Sequence, residues 1–112
     1  PTSAGDLAEA VLRILGTESN GNVAFPSILH YTNSGATSRF DWARFIARQL
    51  GYQKELIKPI RSADLGTGIA TRPVRGVLDI GLWRKTFKDT PGDIWSATND
   101  YLRSGTDEHE EW

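Results

Sequence analysis

The sequence predicts a small α/β domain, mostly helical, built around one short parallel βαβ unit. Three observations predict it. The chain has 112 residues, the length of one small domain with a modest core. Strand-like and helix-like patterns alternate between Ile28 and Ile60. Amphipathic helical patterns with recognisable start signals flank that stretch on both sides.

In chain order, the first helix is predicted from Pro1 to Gly16. Ser3 is placed to cap it, with Asp6 three residues on as the capping-box acid. Ala4, Leu7, Ala8, Val11, Leu12 and Leu15 recur at three- and four-residue spacing, and Gly16 stands where a left-handed stop is wanted. Thr17–Gly21 has turn chemistry. Ile28-Leu29-His30-Tyr31-Thr32 is β-branched and aromatic, as a strand should be, with His30 half-buried in its alternation. Asn33-Ser34-Gly35 breaks it.

A second helix follows from Ser38 to Leu50, facing Trp42, Ala43, Phe45, Ile46 and Leu50 inward, with Gly51 closing it. Leu56–Ile60 reads as a short strand that Pro59 confines to an edge. Strand, helix and strand within about 33 residues is the arithmetic of a right-handed βαβ unit. The two strands are expected to be parallel neighbours.

Residues 61–73 form an irregular middle, and Val74–Leu78 a brief extended piece. Asp79 caps a short helix carrying Leu82, Trp83 and Phe87. Thr90-Pro91-Gly92-Asp93 reads as a helix start capped by Thr90, with Ile94, Trp95, Thr98, Tyr101 and Leu102 on its apolar face and Gly105 as its stop. Residues 1–105 thus make one domain, and the acidic Thr106–Trp112 is expected to be a disordered tail.

Composition excludes several classes of function. No run approaches the roughly 18 apolar residues of a membrane span, and no signal-peptide pattern opens the chain. A cytoplasmic protein without a membrane partner is expected. The absence of cysteine removes thiol chemistry, and two histidines make a metal cluster unlikely to be built, so no metal site is assigned. The net charge of −1 conceals an asymmetry, since Asp107, Glu108, Glu110 and Glu111 crowd the last seven residues. Without them the body carries 13 bases against 10 acids. That balance suits an anionic ligand and falls short of a nucleic-acid footprint. The chain begins at Pro1 and has no methionine, which reads as a piece of something longer.

No catalytic residue is assigned. A glycine-rich phosphate loop and the G-x-S-x-G elbow are both absent, and Asp79, Asp89 and Asp93 sit where acids stabilise helix starts. What remains is a constellation suited to binding. Asn33–Arg39 offers hydroxyls, backbone N–H groups at a helix start, and a guanidinium in the first turn. Those residues either grip a phosphate or simply cap a helix under a solvated arginine. Arg72 precedes Pro73, which holds it extended. It is aimed at a ligand or at a helix carbonyl.

Three segments carry a family resemblance. Thr2-Ser3-Ala4-Gly5-Asp6-Leu7-Ala8 resembles the "P-T-x-x-x-D-L-A" helix start of extended short-chain dehydrogenase/reductases. Ile28–Ser38 with Phe40, Ala43 and Ile46 resembles the "G-x-Y-H-x-x-N-S-G-x-x-S-W-Y-E-F-A" segment of the dTDP-4-dehydrorhamnose reductase family. Ala70-Thr71-Arg72-Pro73 with Val77-Leu78-Asp79 resembles that family's "A-x-R-P-x-N-S-x-L-D", and Trp95, Tyr101 and Leu102 match its closing helix. The resemblance spans residues 1–104.

It implies the carboxy-terminal, substrate-binding part of an extended short-chain dehydrogenase/reductase fold. The implied parent activity is NADPH-dependent reduction of a 4-keto sugar nucleotide in dTDP-rhamnose formation. Thr37, Ser38, Arg39, Arg72 and Arg75 are then the substrate-binding residues. The cofactor would be held by an amino-terminal Rossmann domain, the chain's own partner, with none bound here. No tyrosine is followed by the family's lysine, since Gly35, Leu56 and Gly105 stand four residues after Tyr31, Tyr52 and Tyr101. Arg39 replaces an aromatic, and Arg75-Gly76 replaces the family's Asn-Ser. These departures leave open a non-catalytic module related to the methionine adenosyltransferase regulatory subunit. A homodimer is compatible with either reading.

Overall fold

A computed structural model describes residues 1–18 and 25–108. Four helices carry it: α1 (Ala4–Glu18), α2 (Arg39–Leu50), α3 (Gly81–Phe87) and α4 (Ile94–Glu108). The chain divides into two compact units. The first joins both ends of the sequence, Pro1–Gly35 with Leu78–Trp112, and the second is the intervening Ala36–Val77.

In the first unit, Ser3 begins α1 as expected, its hydroxyl accepting from the Asp6 N–H at 3.4 Å and its carbonyl from the Leu7 N–H at 3.0 Å. Gly16 does not end the helix. A glycine in a helix interior costs only about 1 kcal/mol relative to alanine, so it is not a stop by itself. The Thr17 hydroxyl donates to the Arg13 carbonyl at 2.8 Å, and Thr17 and Glu18 remain helical. The rest of the expected Thr17–Gly21 turn lies outside the described residues.

The apolar stripe of α1 is turned away from the body of its unit. Its inward face is Ser3, Asp6, Ala10 and Arg13, tied to the body by hydrogen bonds and by the burial of Ala10. Leu7, Val11, Leu12 and Leu15 are 45–67% exposed.

The core of this unit is aromatic. Trp83 on α3 is buried, stacked on Phe87 at 4.2 Å between ring centroids and met edge-on by Tyr31 at 4.7 Å. Phe25 stacks on Phe87 in turn, and Ile80 and Ile94 close the cluster. Ile80, not the expected Asp79, is the N-cap residue of α3; Asp79 stands one position before it, its Oδ1 accepting from the Gly81 N–H at 2.7 Å.

The start of α4 lies three residues beyond the expected Thr90 cap. Gly92 is engaged elsewhere: its carbonyl accepts from the Ser34 N–H, and the Ile94 N–H donates back to the Ser34 carbonyl, both at 3.0 Å. This single parallel bridge, Ser34 with Asp93, leaves Asp93 as the cap, accepting from the N–H groups of Trp95 and Ser96 at 3.0 Å. Gly105 does not stop α4, for the reason given for Gly16. Thr106–Glu108 continue the helix, and the rest of the expected disordered tail, His109 to Trp112, lies outside the described residues.

The second unit begins with α2, as the sequence predicts. Ser38 is its N-cap, and Gly51 at φ 77° is its left-handed stop, donating to the Ala47 and Arg48 carbonyls. Ala47 is the buried residue of this helix, while Trp42, Ala43, Phe45 and Ile46 are half-buried and Leu50 is exposed. Two short 3₁₀ turns follow, Lys54–Leu56 and Ser62–Leu65.

The expected βαβ unit is not formed: no strand occurs among the described residues. Ile28–Thr32 and Leu56–Ile60 fall in different units. Leu56 is taken up by a 3₁₀ turn, and Ile28, His30 and Ile60 are exposed. Propensity alone does not make a strand; it needs cross-strand partners and a buried face. The mostly helical part of the expectation stands.

Candidate functional site

All five residues that the sequence marks for substrate binding fall in the second unit. Three are contiguous at the start of α2. The Ser38 hydroxyl accepts from the Asp41 N–H at 3.0 Å, which satisfies one of the otherwise unpaired donors of the helix end. Its lone pair is thus committed to the helix, while its own proton stays free to donate. The Thr37 hydroxyl donates to the Ser38 carbonyl at 3.1 Å. Arg39 opens the helix and is exposed.

Arg72 and Arg75 lie in the irregular stretch and are also exposed. A Cβ added at Gly76, the residue after Arg75, would meet the Pro73 ring at 3.8 Å, an ordinary contact. Among the described residues, no hydrogen bond or ion pair links these two arginines to each other or to the start of α2. Among the described residues, Arg39, Arg72 and Arg75 are thus three exposed guanidinium groups in one unit.

A formed cleft occurs in the first unit, with a volume of about 270 Å³. Its lining includes Asp6, Arg13, Tyr31, Trp83, Asp89 and Ser96, and none of the five expected residues. Arg13 donates to Asp89 Oδ2 at 2.8 Å and its guanidinium lies 5.1 Å from the Phe87 ring centre. Burial raises the pKa of the Tyr31 phenol, and the charges of Asp6, Asp89 and Glu9 raise it further. The Trp83 Nε1–H is buried without a hydrogen-bond partner.

Sequence reasoning took Tyr31 and Trp83 as a strand and a core residue. Their spacing to Asp6 and Asp89 gives no periodic signal that could have joined them. Electrostatics decides what the cleft can take. Four carboxylates on its wall, Asp6, Glu9, Asp89 and Asp100, face one guanidinium, that of Arg13. That excess of negative charge disfavours an anion such as a diphosphate in the cleft.

Residues 1–106 match the family model described as "RmlD substrate binding domain". The chain is 36% identical over 111 residues to a dTDP-4-dehydrorhamnose reductase of Mycolicibacterium smegmatis, covering 89% of this chain and 32% of that protein. It is 36% identical over 64 residues to a dTDP-4-dehydrorhamnose reductase of Mycobacterium tuberculosis, covering 57% of this chain and 19% of that one. The chain thus spans about a third of the length of the first relative and a fifth of the second. No solved structure matches it.

Proposed function

The chain belongs to the RmlD substrate binding domain family, and from that premise we propose that it is the substrate-binding part of a dTDP-4-dehydrorhamnose reductase-like enzyme. The substrate is a 4-keto sugar nucleotide, and residues 1–105 form the carboxy-terminal domain that holds it. The observation carrying this reading is the family match across nearly the entire chain, residues 1–106. Its cytoplasmic parent enzyme reduces the sugar ring with NADPH, which supplies the hydride.

The residues of this chain do not fit that cofactor. Among the described residues no strand leads through a glycine-rich turn into a helix, the arrangement that cradles a dinucleotide. Tyr31, Tyr52 and Tyr101 also lack a lysine four positions on. Hydride and proton transfer are assigned to the remaining, Rossmann part of the enzyme.

What this chain contributes is binding and orientation. Arg39, Arg72 and Arg75 neutralise the diphosphate, for which planar guanidinium groups offer paired donors. The Ser38 hydroxyl proton and the Thr37 side chain serve hydroxyl or phosphate oxygens beside the start of α2. The identifying experiment is titration calorimetry of the parent enzyme with dTDP and dTDP-rhamnose, with and without Arg39→Ala and Arg72→Ala. Heat of binding that is lost in both variants supports the reading. Unchanged affinity in both removes it.

A further inference from the structure

Charge is divided unevenly between the two units. Ala36–Val77 holds eight bases and three acids, while the remaining residues hold five bases and eleven acids. Arg39, Arg72 and Arg75 account for three of the eight. Four of the other five, Arg48, Lys54, Lys58 and Arg61, fall in one short stretch that contains a single acid, Glu55.

Between these cations stand large apolar side chains that the second unit leaves in water. Leu50, Tyr52, Leu56 and Ile60 are 43–77% exposed. Local backbone chemistry keeps them there. Gly51 ends α2 between Leu50 and Tyr52, and the 3₁₀ turn Lys54–Leu56 buries none of its residues. Pro59 denies an N–H to any sheet ladder. Arg48, Lys58 and Arg61 are exposed and Lys54 is half-buried, and among the described residues no ion pair engages any of the four.

We infer that residues 48–61 form a docking surface for an anionic lipid membrane, which the protein meets from its aqueous side. Two kinds of group have to be satisfied together, and this selects the partner. The core of a protein interface is depleted in lysine, whereas Lys54 and Lys58 stand two positions to either side of Leu56. A nucleic acid rewards cations and aromatic faces, yet Tyr52 is the one aromatic of the stretch, and Leu50, Leu56 and Ile60 gain nothing from it. At an anionic bilayer the aliphatic side chains and the tyrosine enter the headgroup region while the ammonium and guanidinium groups meet lipid phosphates. No helix among the described residues is long and apolar enough to cross a membrane, and a surface contact needs none. The expectation of no membrane partner rested on the lack of a spanning run, which does not bear on such a contact.

The test is co-sedimentation of the parent enzyme carrying these residues with two kinds of vesicle, phosphatidylcholine alone and phosphatidylcholine mixed with phosphatidylglycerol. Binding to the mixed vesicles that added salt weakens, with little binding to the neutral ones, is expected. Lys54→Glu/Lys58→Glu should weaken it by about tenfold or more, since each cation near an anionic surface contributes about fivefold. Leu56→Ser/Ile60→Ser should weaken it severalfold by removing apolar area from the bilayer. If the lysine pair fails to fold, the apolar pair decides.

Absence of binding to the mixed vesicles overturns the inference, as does equal binding to both kinds or a folded variant that binds as tightly as the parent. Full displacement by millimolar inorganic phosphate assigns the stretch to a soluble anion, and tighter binding to single-stranded RNA assigns it to a nucleic acid; either overturns it. Binding of dTDP is measured separately by calorimetry and should be unchanged in both variants, because Arg39, Arg72 and Arg75 are intact. Its absence from the parent enzyme counts against the sugar-nucleotide reading while the vesicle comparison still decides the membrane surface.

Discussion

The Asn33 side-chain amide donates to Asp6 Oδ2 at 2.7 Å, and through this contact a loop residue holds the polar face of α1 inward. Asn33 is 3% exposed and uses both ends of its amide. Its Nδ2 also reaches the Gly92 carbonyl at 3.0 Å, and its Oδ1 accepts from the Ser3 N–H at 2.7 Å. Three segments distant in sequence meet on one side chain.

Replacing Asn33 by alanine should therefore strand several polar groups at once. Each unsatisfied buried group costs about 1–3 kcal/mol, so a loss at the upper end of that range or beyond is expected. Asn33→Asp should be worse than its small size change suggests, because it sets a second carboxylate against Asp6. Urea denaturation of both variants checks the order, and an Asn33→Asp chain as stable as the parent would contradict it.

Trp83 should tolerate loss of its N–H better than loss of its ring. Its Nε1 has no partner, whereas its ring packs against Tyr31 and Phe87. Trp83→Phe is expected to cost less than about 1.5 kcal/mol, and Trp83→Ala about 3–5 kcal/mol. Equal losses, read by thermal melting, would mean that the indole N–H is bonded in solution.

The Arg13–Asp89 pair is half-exposed, so its charge contributes little, about 0–1 kcal/mol. Stacking on Phe87 adds about 0.5–1 kcal/mol. Arg13→Ala should accordingly cost more than Asp89→Ala. Added salt should erase most of the Asp89 effect and less of the Arg13 effect. A double-mutant cycle measured at low and high salt tests the split.

Two groups set the pH limits of the fold. Hydrogen bonds from the Ser96 backbone and side chain lower the pKa of Asp93. The stabilisation is therefore present above the unfolded value near 3.8 and is lost as pH falls through the lower folded value. Tyr31 is an acid whose pKa burial raises, so stability falls as pH climbs above its unfolded value of 10.0. Asp93→Ala should flatten the acid limb of the stability profile, and Tyr31→Phe the alkaline limb. Ultraviolet titration should show a tyrosine ionising above its ordinary value that is missing in Tyr31→Phe, and a variant that retains that high step would refute the assignment.

In the parent enzyme, Arg39→Ala and Arg72→Ala should each raise KM roughly tenfold or more, as expected for losing one charge-assisted contact of about 1.5–3 kcal/mol. The change in kcat should be smaller. Steady-state kinetics with a 4-keto sugar nucleotide decides between a ligand-binding and a merely solvated arginine.

Local chemistry was legible in the sequence wherever one segment decides its own form. Ser38 and Gly51 bound α2, because each cap satisfies backbone groups within a few residues. Properties that depend on distant partners were not legible. Ile28–Thr32 has strand-forming residues but no neighbour to pair with. The α1 stripe is legible as a stripe, while the contacts that seat the opposite face of the helix come from Asn33 and Asp89, at separations of 27 and 76 residues. The arginines were found from motif order, while the acidic cleft between Tyr31 and Trp83 has no linear signature. Thr90 was taken for a cap because nothing nearby shows that Gly92 is held by Ser34.

The Ser34–Asp93 bridge ties together stretches nearly sixty positions apart, and the unit containing it draws on both ends of the polypeptide. During synthesis the amino-terminal helix consequently leaves the ribosome long before its stabilising contacts exist. Until the final helix emerges, its leucines are open to chaperones and to premature association. Cells making this chain should be more sensitive to slowed elongation through the middle segment than to slowing after residue 108.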